Sequence, residues 1–303
     1  MAKNYVWLDG KFIDSEKATV PISTHSLQYG SGIFEGIRAY STSKGPAIFR
    51  LKEHVSRFMR TAKIAGMELP FTQKQIEQAI IEIVSKNKLD SCYIRPFGFY
   101  NDPRIGLNTE GKKISIAIIA VPFGRYFGDK EKGIKCKVSS MRRINSNILP
   151  PSAKLSGNYA TSVLVSKEAK NAGADEAIML SINGWVAEGP GENIFLVEEN
   201  KLLTPSKASD ILLGITRDSV IKIAESTGIL VEEREIHREE LLIADELFFS
   251  GTAAEITPIV SVDSVKIGSG KRGPLTKLIL DRYMSIVSGE DPEFMHWLTF
   301  TKQ

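Results

Sequence analysis

A single lysine, Lys154, lies in a stretch of small and apolar residues of the kind that a reactive amine requires. Pro150 and Pro151 precede it and favour an extended backbone, and Ser156-Gly157-Asn158 leads into an apolar run that begins at Tyr159. Few charged residues lie near this lysine in the sequence. Burial in such a setting disfavours the ammonium form, lowers the pKa of the amine and makes it a nucleophile. Taken alone, the stretch fits a solvated loop lysine better, because most lysines are exposed.

Six short motifs make the chain resemble, in order and over nearly its whole length, the branched-chain-amino-acid aminotransferases, which are fold-type IV pyridoxal-phosphate enzymes. The motifs are Tyr29-Gly30 with Phe34-Glu35-Gly36-Ile37-Arg38, Tyr93-Ile94-Arg95-Pro96, Ala153-Lys154 with Gly157-Asn158-Tyr159, Glu188-Gly189-Pro190-Gly191-Glu192-Asn193, Leu213-Gly214-Ile215-Thr216-Arg217, and Ser250-Gly251-Thr252-Ala253-Ala254-Glu255. One departure is Pro190, where the family pattern has a small residue such as alanine. The departure leaves Glu192 in place.

The resemblance implies pyridoxal 5'-phosphate as the cofactor and Lys154 as the catalytic residue that binds it and moves the substrate proton. Glu192 would face the pyridine nitrogen, and Tyr159 would hydrogen-bond the ring oxygen. The start of a predicted helix after Gly214 would bind the phosphate, because helix N-termini favour anions. The implied cofactor-binding residues are Arg57, Tyr159, Glu192, Ile215, Thr216 and Thr252. Without the resemblance, these residues would be interpreted as helix caps, a core tyrosine and a solvated arginine.

The resemblance also implies a substrate site. Arg95, helped by Tyr29, would bind the side-chain carboxylate of glutamate, which would otherwise be buried without a partner. Tyr93 and the backbone of Thr252-Ala253 would hold the α-carboxylate. The apolar wall would consist of Phe34, Gly36, Phe123, Tyr126, Tyr159 and Ala253. In the family, Tyr29 and the loop residue Leu107 reach across from a neighbouring subunit, which implies a homodimer as the minimal unit and favours a homohexamer.

The implied enzyme is a branched-chain-amino-acid transaminase that exchanges amino groups between L-leucine, L-isoleucine or L-valine and 2-oxoglutarate, giving 2-oxo acids and L-glutamate. D-amino-acid aminotransferases, (R)-amine transaminases and aminodeoxychorismate lyases share the fold and are the alternatives. A non-catalytic pyridoxal-phosphate-binding protein is a further alternative. Tyr93-Ile94-Arg95-Pro96 favours the L-branched-chain type. The four histidines lack metal-ligand spacing, so no metal site is predicted.

Bulk properties of the 303-residue chain narrow its partners and location. A net charge of +3 gives no reason to expect nucleic acid or an anionic membrane as a partner. No apolar run approaches the length of a membrane span, and the first residues lack an apolar signal region. Cys92 and Cys136 are predicted to be reduced core thiols. We therefore expect a cytoplasmic protein that acts on small molecules.

The predicted fold class is α/β, in the sense of a two-domain α+β chain. A smaller α+β domain covers residues 1–122, and an interdomain loop covers 123–133. The larger domain, 134–303, carries the cofactor lysine, and the resemblance implies a mixed, barrel-like sheet with helices there. Asp9-Gly10 and Asn183-Gly184 predict tight hairpins, and Thr72 with Gln75 predicts a helix-capping box.

Overall fold

The computed structural model describes residues 4–124, 126–127 and 132–301. Its helices are α1 (His25–Tyr29), α2 (Leu51–Ile64), α3 (Gln73–Lys86), α4 (Tyr159–Asn171), α5 (Ile215–Ser226), α6 (Glu240–Ile243) and α7 (Pro274–Val287). Its strands are β1 (Tyr5–Leu8), β2 (Lys11–Asp14), β3 (Ile33–Phe34), β4 (Ile37–Tyr40), β5 (Ala47–Phe49), β6 (Cys92–Tyr100), β7 (Ile114–Pro122), β8 (Ile134–Arg142), β9 (Glu176–Leu180), β10 (Val186–Glu188), β11 (Asn193–Glu198), β12 (Lys201–Pro205), β13 (Val231–Arg234), β14 (Glu246–Gly251), β15 (Glu255–Val262), β16 (Val265–Lys266) and β17 (Leu298–Phe300). No helix in these ranges is long and apolar enough to cross a membrane.

The chain forms two compact units, each of which is built from segments that are separated in the sequence. The first consists of Met1–Gly124, Ala153–Gly157 and Ser285–Gln303, and the second consists of Arg125–Ser152 and Asn158–Met284. The predicted division at 122 and 134 differs from this one, because it assigned the lysine segment and the C-terminal residues to the second domain. Residues 125 and 128–131 of the predicted interdomain loop lie outside the described part of the chain.

The first unit is built on an antiparallel sheet of order β17-β5-β4-β6-β7-β1-β2, with β3 paired to β6. The predicted Asp9-Gly10 hairpin is present as β1–β2. The C-terminal strand β17 pairs with β5, which explains why the end of the chain belongs to this unit. Helices α2 and α3 pack together and bury apolar residues against the sheet, among them Phe58, Ile76, Ile80 and Ile83.

Helix α3 begins where the sequence predicts. The Thr72 hydroxyl accepts from the backbone N–H of Gln75, and the Gln75 side chain accepts from the backbone N–H of Thr72 at 2.9 Å. Both bonds satisfy N–H groups that the helix itself cannot pair. The capping box is therefore confirmed, and the helix it starts supports the central strands β6 and β7.

The lysine segment joins the first unit through backbone pairing with the glycine-rich stretch after α1. Phe34 N donates to Lys154 O at 3.1 Å, Ser156 N donates to Gly32 O at 2.8 Å, and Gly157 N donates to Gly30 O at 3.0 Å. Ile33 and Leu155 form an antiparallel bridge in the same ladder. These bonds hold the backbone on both sides of Lys154 against β3.

The second unit is a mixed sheet that closes on itself. Strands follow the order β10-β9-β8-β15-β14-β11, and β10 also pairs with β11, which closes the ring. Strand β8 is parallel to β9 and β15, whereas the other pairings of the ring are antiparallel. The predicted barrel-like mixed sheet is confirmed. Helix α4 packs on β8 and β9, and the Asn183-Gly184 turn joins β9 to β10 as predicted.

Candidate functional site

Lys154 is held at both backbone groups. Its N–H donates to Thr61 Oγ1 on α2 at 3.2 Å, and its carbonyl accepts from Phe34 N. The half-buried side chain places Nζ 5.0 Å from the centroid of the Phe34 ring. An amine over an aromatic face gains a modest cation–π attraction when charged. The position of this amine is therefore defined by α2 and β3.

The pKa of Lys154 is lowered to about 8. Removal of water from the ammonium group is the largest cause, followed by the positive charge of Arg57, and Arg95 acts in the same direction. Glu35 and Tyr93 oppose the shift. The expected desolvation is present, but the lysine is not in a charge-poor setting: residues distant in sequence bring charges to it. About a tenth of the amine is consequently neutral at pH 7, far more than for a lysine with an ordinary pKa.

Tyr93 and Arg95 lie two residues apart on β6 and therefore point to the same face of the sheet. Arg95 Nη2 donates to Tyr93 Oη at 2.9 Å, and the guanidinium carbon is 4.5 Å from the centroid of the Phe34 ring. Arg95 Nε is buried and has no hydrogen-bond partner in the described part of the chain. A half-buried arginine with an unused buried donor is suited to binding a carboxylate. Phe34, Tyr93, Arg95 and Lys154 are thus brought together as predicted.

Gly36 leaves the space that Tyr93 occupies. A Cβ atom built on Gly36 would lie 2.1 Å from Tyr93 Oη, so any larger residue would displace the hydroxyl. Phe123 adds an aromatic ring 5.1 Å from that of Tyr93. Arg38, whose role the sequence leaves open, donates to Gly124 O at 3.0 Å and stacks on Phe123 at 5.2 Å. Arg38 therefore packs against the Phe123 ring and is bonded to the neighbouring Gly124.

The predicted phosphate ligand Arg57 is buried on α2 and engaged by Glu35. Arg57 Nε donates to Glu35 Oε1 at 2.7 Å and Nη2 donates to Oε2 at 2.9 Å. His54, one turn earlier, lies 2.8 Å from Glu35 Oε2 through Nδ1. Sequence reasoning missed Glu35 and His54. Glu35 stands inside the Phe34–Arg38 motif, and the i, i+3 spacing of His54 and Arg57 on a helix is the signal that could have found the pair.

Tyr29 and Leu107 are not joined to this group within the chain. Tyr29 is 39% exposed and Leu107 is 80% exposed. Tyr29 Oη accepts from Gly106 N at 3.1 Å, which ties the tyrosine to the loop that carries Leu107. In the described residues, no hydrogen bond or ring contact connects either side chain to Arg95 or Lys154. Their exposure leaves open the prediction that they serve a neighbouring subunit.

In the second unit, Glu192 lies in a tight turn before β11. Its Oε2 accepts from Gly191 N at 3.0 Å, and its carbonyl accepts from Gly189 N at 2.7 Å. The side chain is 6% exposed. Gly251, at the end of β14, approaches so closely that an added Cβ would lie 3.3 Å from Gly191 O. The Glu192 turn therefore lies beside Gly251, the residue before Thr252.

A buried network, missed from the sequence, connects the Glu192 turn to the start of α5. Glu188 Oε1 accepts from Arg143 Nε at 2.6 Å, and Oε2 accepts from Asn193 Nδ2 at 3.0 Å and from Leu212 N at 3.1 Å. Asn193 Nδ2 also donates to Leu212 O at 2.8 Å. A Cβ on Gly214 would lie 2.1 Å from Asn193 Oδ1. The network fixes the residues that lead into the helix.

Helix α5 starts without a side-chain cap. Gly214, its N-cap, has no side chain, and Ile215 and Thr216 in the first turn are buried. The first N–H groups of a helix have no partner within it and attract anions. Thr252 and Ala253 are half-buried beside the Glu192 turn, and Tyr159 is the half-buried first residue of α4. Tyr126 is 52% exposed and packs its ring 4.7 Å from that of Phe127.

Two arginine–glutamate pairs of the second unit offer a matched test of the buried network. Arg143–Glu188 and Arg217–Glu233 are both 2.6 Å apart, but the Glu188 side chain is 7% exposed and that of Glu233 is 46% exposed. Glu188→Gln leaves Arg143 buried and uncompensated, so we expect the free energy of unfolding to fall by about 3 kcal/mol or more.

Glu233→Gln, the matched control, should cost clearly less: Arg217 is as buried as Arg143, but water screens the Glu233 carboxylate and Arg217 Nη2 also donates to Pro205 O at 3.0 Å. Denaturant titration followed by circular dichroism measures both values. Equal losses in the two variants would contradict a structural role for Glu188 beyond that of an ordinary ion pair.

Metal chemistry has no candidate in the described ranges, where no group of three or more His, Cys, Asp or Glu side chains is placed to hold an ion. Both cysteines are free and buried, and burial raises the pKa of the Cys92 thiol to about 12.

Comparison with known proteins identifies the family of the chain. A family model described as amino-transferase class IV matches residues 32–262. The chain is 43% identical over 299 residues to a branched-chain-amino-acid aminotransferase of Pseudomonas aeruginosa, covering 98% of this chain and 97% of the relative. It is 42% identical over 303 residues to a branched-chain-amino-acid aminotransferase of Escherichia coli, covering 99% and 98%.

Two solved structures resemble the whole chain. The crystal structure of the Escherichia coli branched-chain amino acid aminotransferase has a TM-score of 0.97 at 42% identity, covering 99% of this chain and 100% of that one. The branched-chain amino acid aminotransferase from Thermobaculum terrenum, in its PLP-form, has a TM-score of 0.94 at 36% identity, covering 99% of both chains. Since the family model spans most of the chain and the relatives match nearly all of it, the chain belongs to the amino-transferase class IV family.

Proposed function

We propose that this chain is a pyridoxal-phosphate-dependent aminotransferase that exchanges amino groups between L-leucine, L-isoleucine or L-valine and 2-oxoglutarate, giving branched-chain 2-oxo acids and L-glutamate. The observation that carries the proposal is the Lys154 amine, with its lowered pKa, beside Tyr93 and the partly unpaired Arg95. The relatives named above, at 42–43% identity over nearly the whole chain, support this choice of substrates.

The residues present fit pyridoxal 5'-phosphate. Lys154 supplies an amine for the aldehyde, Glu192 a buried carboxylate for the pyridine nitrogen, and the start of α5 supplies uncapped backbone N–H groups for the phosphate. We assign Arg57, Ile215, Thr216 and Thr252 to the phosphate and Tyr159 to the ring oxygen. When bound, the cofactor supplies an electron sink for the substrate α-carbon.

Lys154 Nζ acts as the base for the substrate's α-proton. A lowered pKa of about 8 matches the strength that general base catalysis near neutral pH requires. The backbone bonds of Lys154 to Thr61 and Phe34 keep the amine in place, while its own side-chain torsions let it move. The backbone of Lys154 is thus fixed, whereas its amine can move between positions.

Carboxylate recognition is assigned to β6. Arg95, whose Nε is unused, binds the side-chain carboxylate of glutamate or 2-oxoglutarate with Tyr29, and Tyr93 with the Thr252-Ala253 backbone binds the α-carboxylate. Phe34, Gly36, Phe123, Tyr126, Tyr159 and Ala253 form the surface that accepts the branched apolar side chain. One site therefore takes both an apolar and a charged side chain.

We further propose a homodimer as the minimal unit, a homohexamer as the assembly, and the cytoplasm as the location. Leu107 is 80% exposed on a loop that Tyr29 holds, as expected for residues that serve a neighbouring subunit. Ile105, two residues earlier on the same loop, is 76% exposed, and neighbouring exposed apolar side chains are typical of a contact surface.

The amino-donor preference tests the proposed function. With added pyridoxal 5'-phosphate and 2-oxoglutarate, the purified protein should form glutamate from L-leucine, L-isoleucine and L-valine and should leave D-alanine unused. Glutamate production and the bleaching of the visible band of bound cofactor by L-leucine are the measurements. Lys154→Ala, the control, should lose at least about a thousandfold in turnover, because both the covalent attachment and the base are removed. Formation of product from D-alanine but from none of the three L-amino acids, or retained turnover in Lys154→Ala, would refute the proposal.

Replacement of Arg95 should separate the two half-reactions. In Arg95→Gln, the second-order rate constant of the half-reaction with L-glutamate should fall by at least about tenfold, because a charge-assisted bond to the buried carboxylate is lost. The same value for L-leucine, measured on the same preparation, should change much less and serves as the internal control. Single-turnover absorbance changes give both. An equal loss for the two donors would show that Arg95 supports the site in general instead of selecting the charged substrate.

A further inference from the structure

Glu35 is a fully buried carboxylate at the centre of a compact charged cluster. Its exposed fraction is 0%, and its two oxygens accept from Arg57 Nε and Nη2 at 2.7 and 2.9 Å. His54 Nδ1 lies 2.8 Å from Oε2. Because the Arg57 and His54 bonds favour the ionised carboxylate, the pKa of Glu35 lies well below its usual range despite the burial. An ionised carboxylate can only accept, so His54 Nδ1 carries the proton in this bond.

The backbone fixes this cluster relative to Lys154. Phe34, the residue before Glu35, donates its N–H to Lys154 O, and Thr61, one turn after Arg57 on α2, accepts from Lys154 N. The two elements that carry the cluster therefore also hold the lysine. Any charge on Glu35 or Arg57 acts on the amine from a fixed position.

Charge balance around the amine depends on Glu35. Among the charged and titratable groups that act on Lys154, Arg57 and Arg95 disfavour its ammonium form, and Glu35 and Tyr93 favour it; His54 also interacts with it. Arg57 remains charged at all relevant pH values. His54 is kept neutral because burial lowers its pKa. Glu35 is thus the carboxylate that offsets the Arg57 charge, and its bidentate contact sets the orientation of the guanidinium.

We propose that Glu35 is a positioning residue for the reactive amine: it orients the Arg57 guanidinium and balances its charge, and so sets the fraction of Lys154 that is neutral. The consequence for catalysis rests on the proposed function, whereas the electrostatic effect on the amine does not. His54 completes the arrangement by holding the second side of the Glu35 carboxylate.

The test measures the Lys154 amine directly in the cofactor-free protein. Competitive labelling with acetic anhydride over a pH series, read by peptide mass spectrometry, gives the midpoint at which the amine becomes reactive. The wild-type midpoint should lie at about 8. In Glu35→Gln the midpoint should fall by about one pH unit or more, because the charge of Arg57 is left uncompensated beside the ammonium group. In the double variant Glu35→Gln/Arg57→Gln it should return towards the wild-type value.

Glu53→Gln is the matched control. Glu53 lies on α2, the helix that carries Arg57, and pairs with Arg50 at 2.8 Å, but its side chain is 40% exposed. Its substitution should leave the Lys154 midpoint unchanged, and circular dichroism and thermal melts verify folding of every variant. An unchanged or raised midpoint in Glu35→Gln, or a double variant no closer to wild type than the single one, would overturn the proposal.

Arg57→Gln keeps the test decisive if Glu35→Gln does not fold. Removing Arg57 takes away a cation that disfavours the ammonium form of Lys154, so the Lys154 midpoint should rise, and an unchanged or lowered midpoint would contradict the proposal. Addition of pyridoxal 5'-phosphate to the wild-type protein, in which every proposed phosphate ligand is present, then reports cofactor binding by its visible band. A shifted midpoint without cofactor binding would reject the proposed function and leave the role of Glu35 intact, so the two failures are distinguishable.

Discussion

The short ladder between residues 153–157 and 30–34 is the constraint on which the first unit's chemistry depends. Lys154 lies in a part of the chain whose sequence neighbours on both sides belong to the second unit. Three backbone bonds, from Phe34, Ser156 and Gly157, nevertheless hold it beside β3. Because the ladder uses backbone groups, it places the amine without consuming any side chain. Phe34, Glu35 and Gly36, which follow directly in sequence, are thereby brought to the lysine with a defined register.

Buried arginine–glutamate pairs fix the functional side chains of both units. Arg57–Glu35 orients a cation beside Lys154 in the first, and Arg143–Glu188 anchors the residues before α5 in the second. A buried ion pair contributes little net stability, because desolvation of both charges offsets their attraction. What it contributes here is geometry, since bidentate or multiply hydrogen-bonded carboxylates have few alternative arrangements. The glutamates are placed by the same motifs that carry the candidate ligands, one residue from Phe34 and four from Glu192.

Much of the fold follows from local sequence signals, whereas the charge environment of the site does not. The capping box at Thr72, the Asp9-Gly10 turn and the closed mixed sheet were predictable from short patterns and the family resemblance. The Lys154–Thr61 bond joins residues 93 apart, and Glu35 meets Arg57 over 22 residues. Such pairings depend on the sheet register and on the approach of α2, which no local pattern records. The same limitation explains why consecutive domain limits missed the membership of residues 153–157 and 285–303.

The starts of α5 and α7 show how the second unit distinguishes a structural helix terminus from one able to bind an anion. At α7, the Glu246 carboxylate accepts from Leu275 N at 2.9 Å and Thr276 N at 2.7 Å, so a protein side chain already fills the place of an anion. At α5, the N-cap is Gly214, and the space a side chain would need is taken by the Asn193 amide. Glu188 holds that amide and the Leu212 N–H, and its carboxylate is directed to the residues before the helix instead of its first turn. The cap of α5 thus contributes no side-chain hydrogen bond, and Asp218, the acidic residue of its first turn, pairs with Lys222 at 2.8 Å. A helix start without a side-chain cap is the condition under which an external phosphate is favoured.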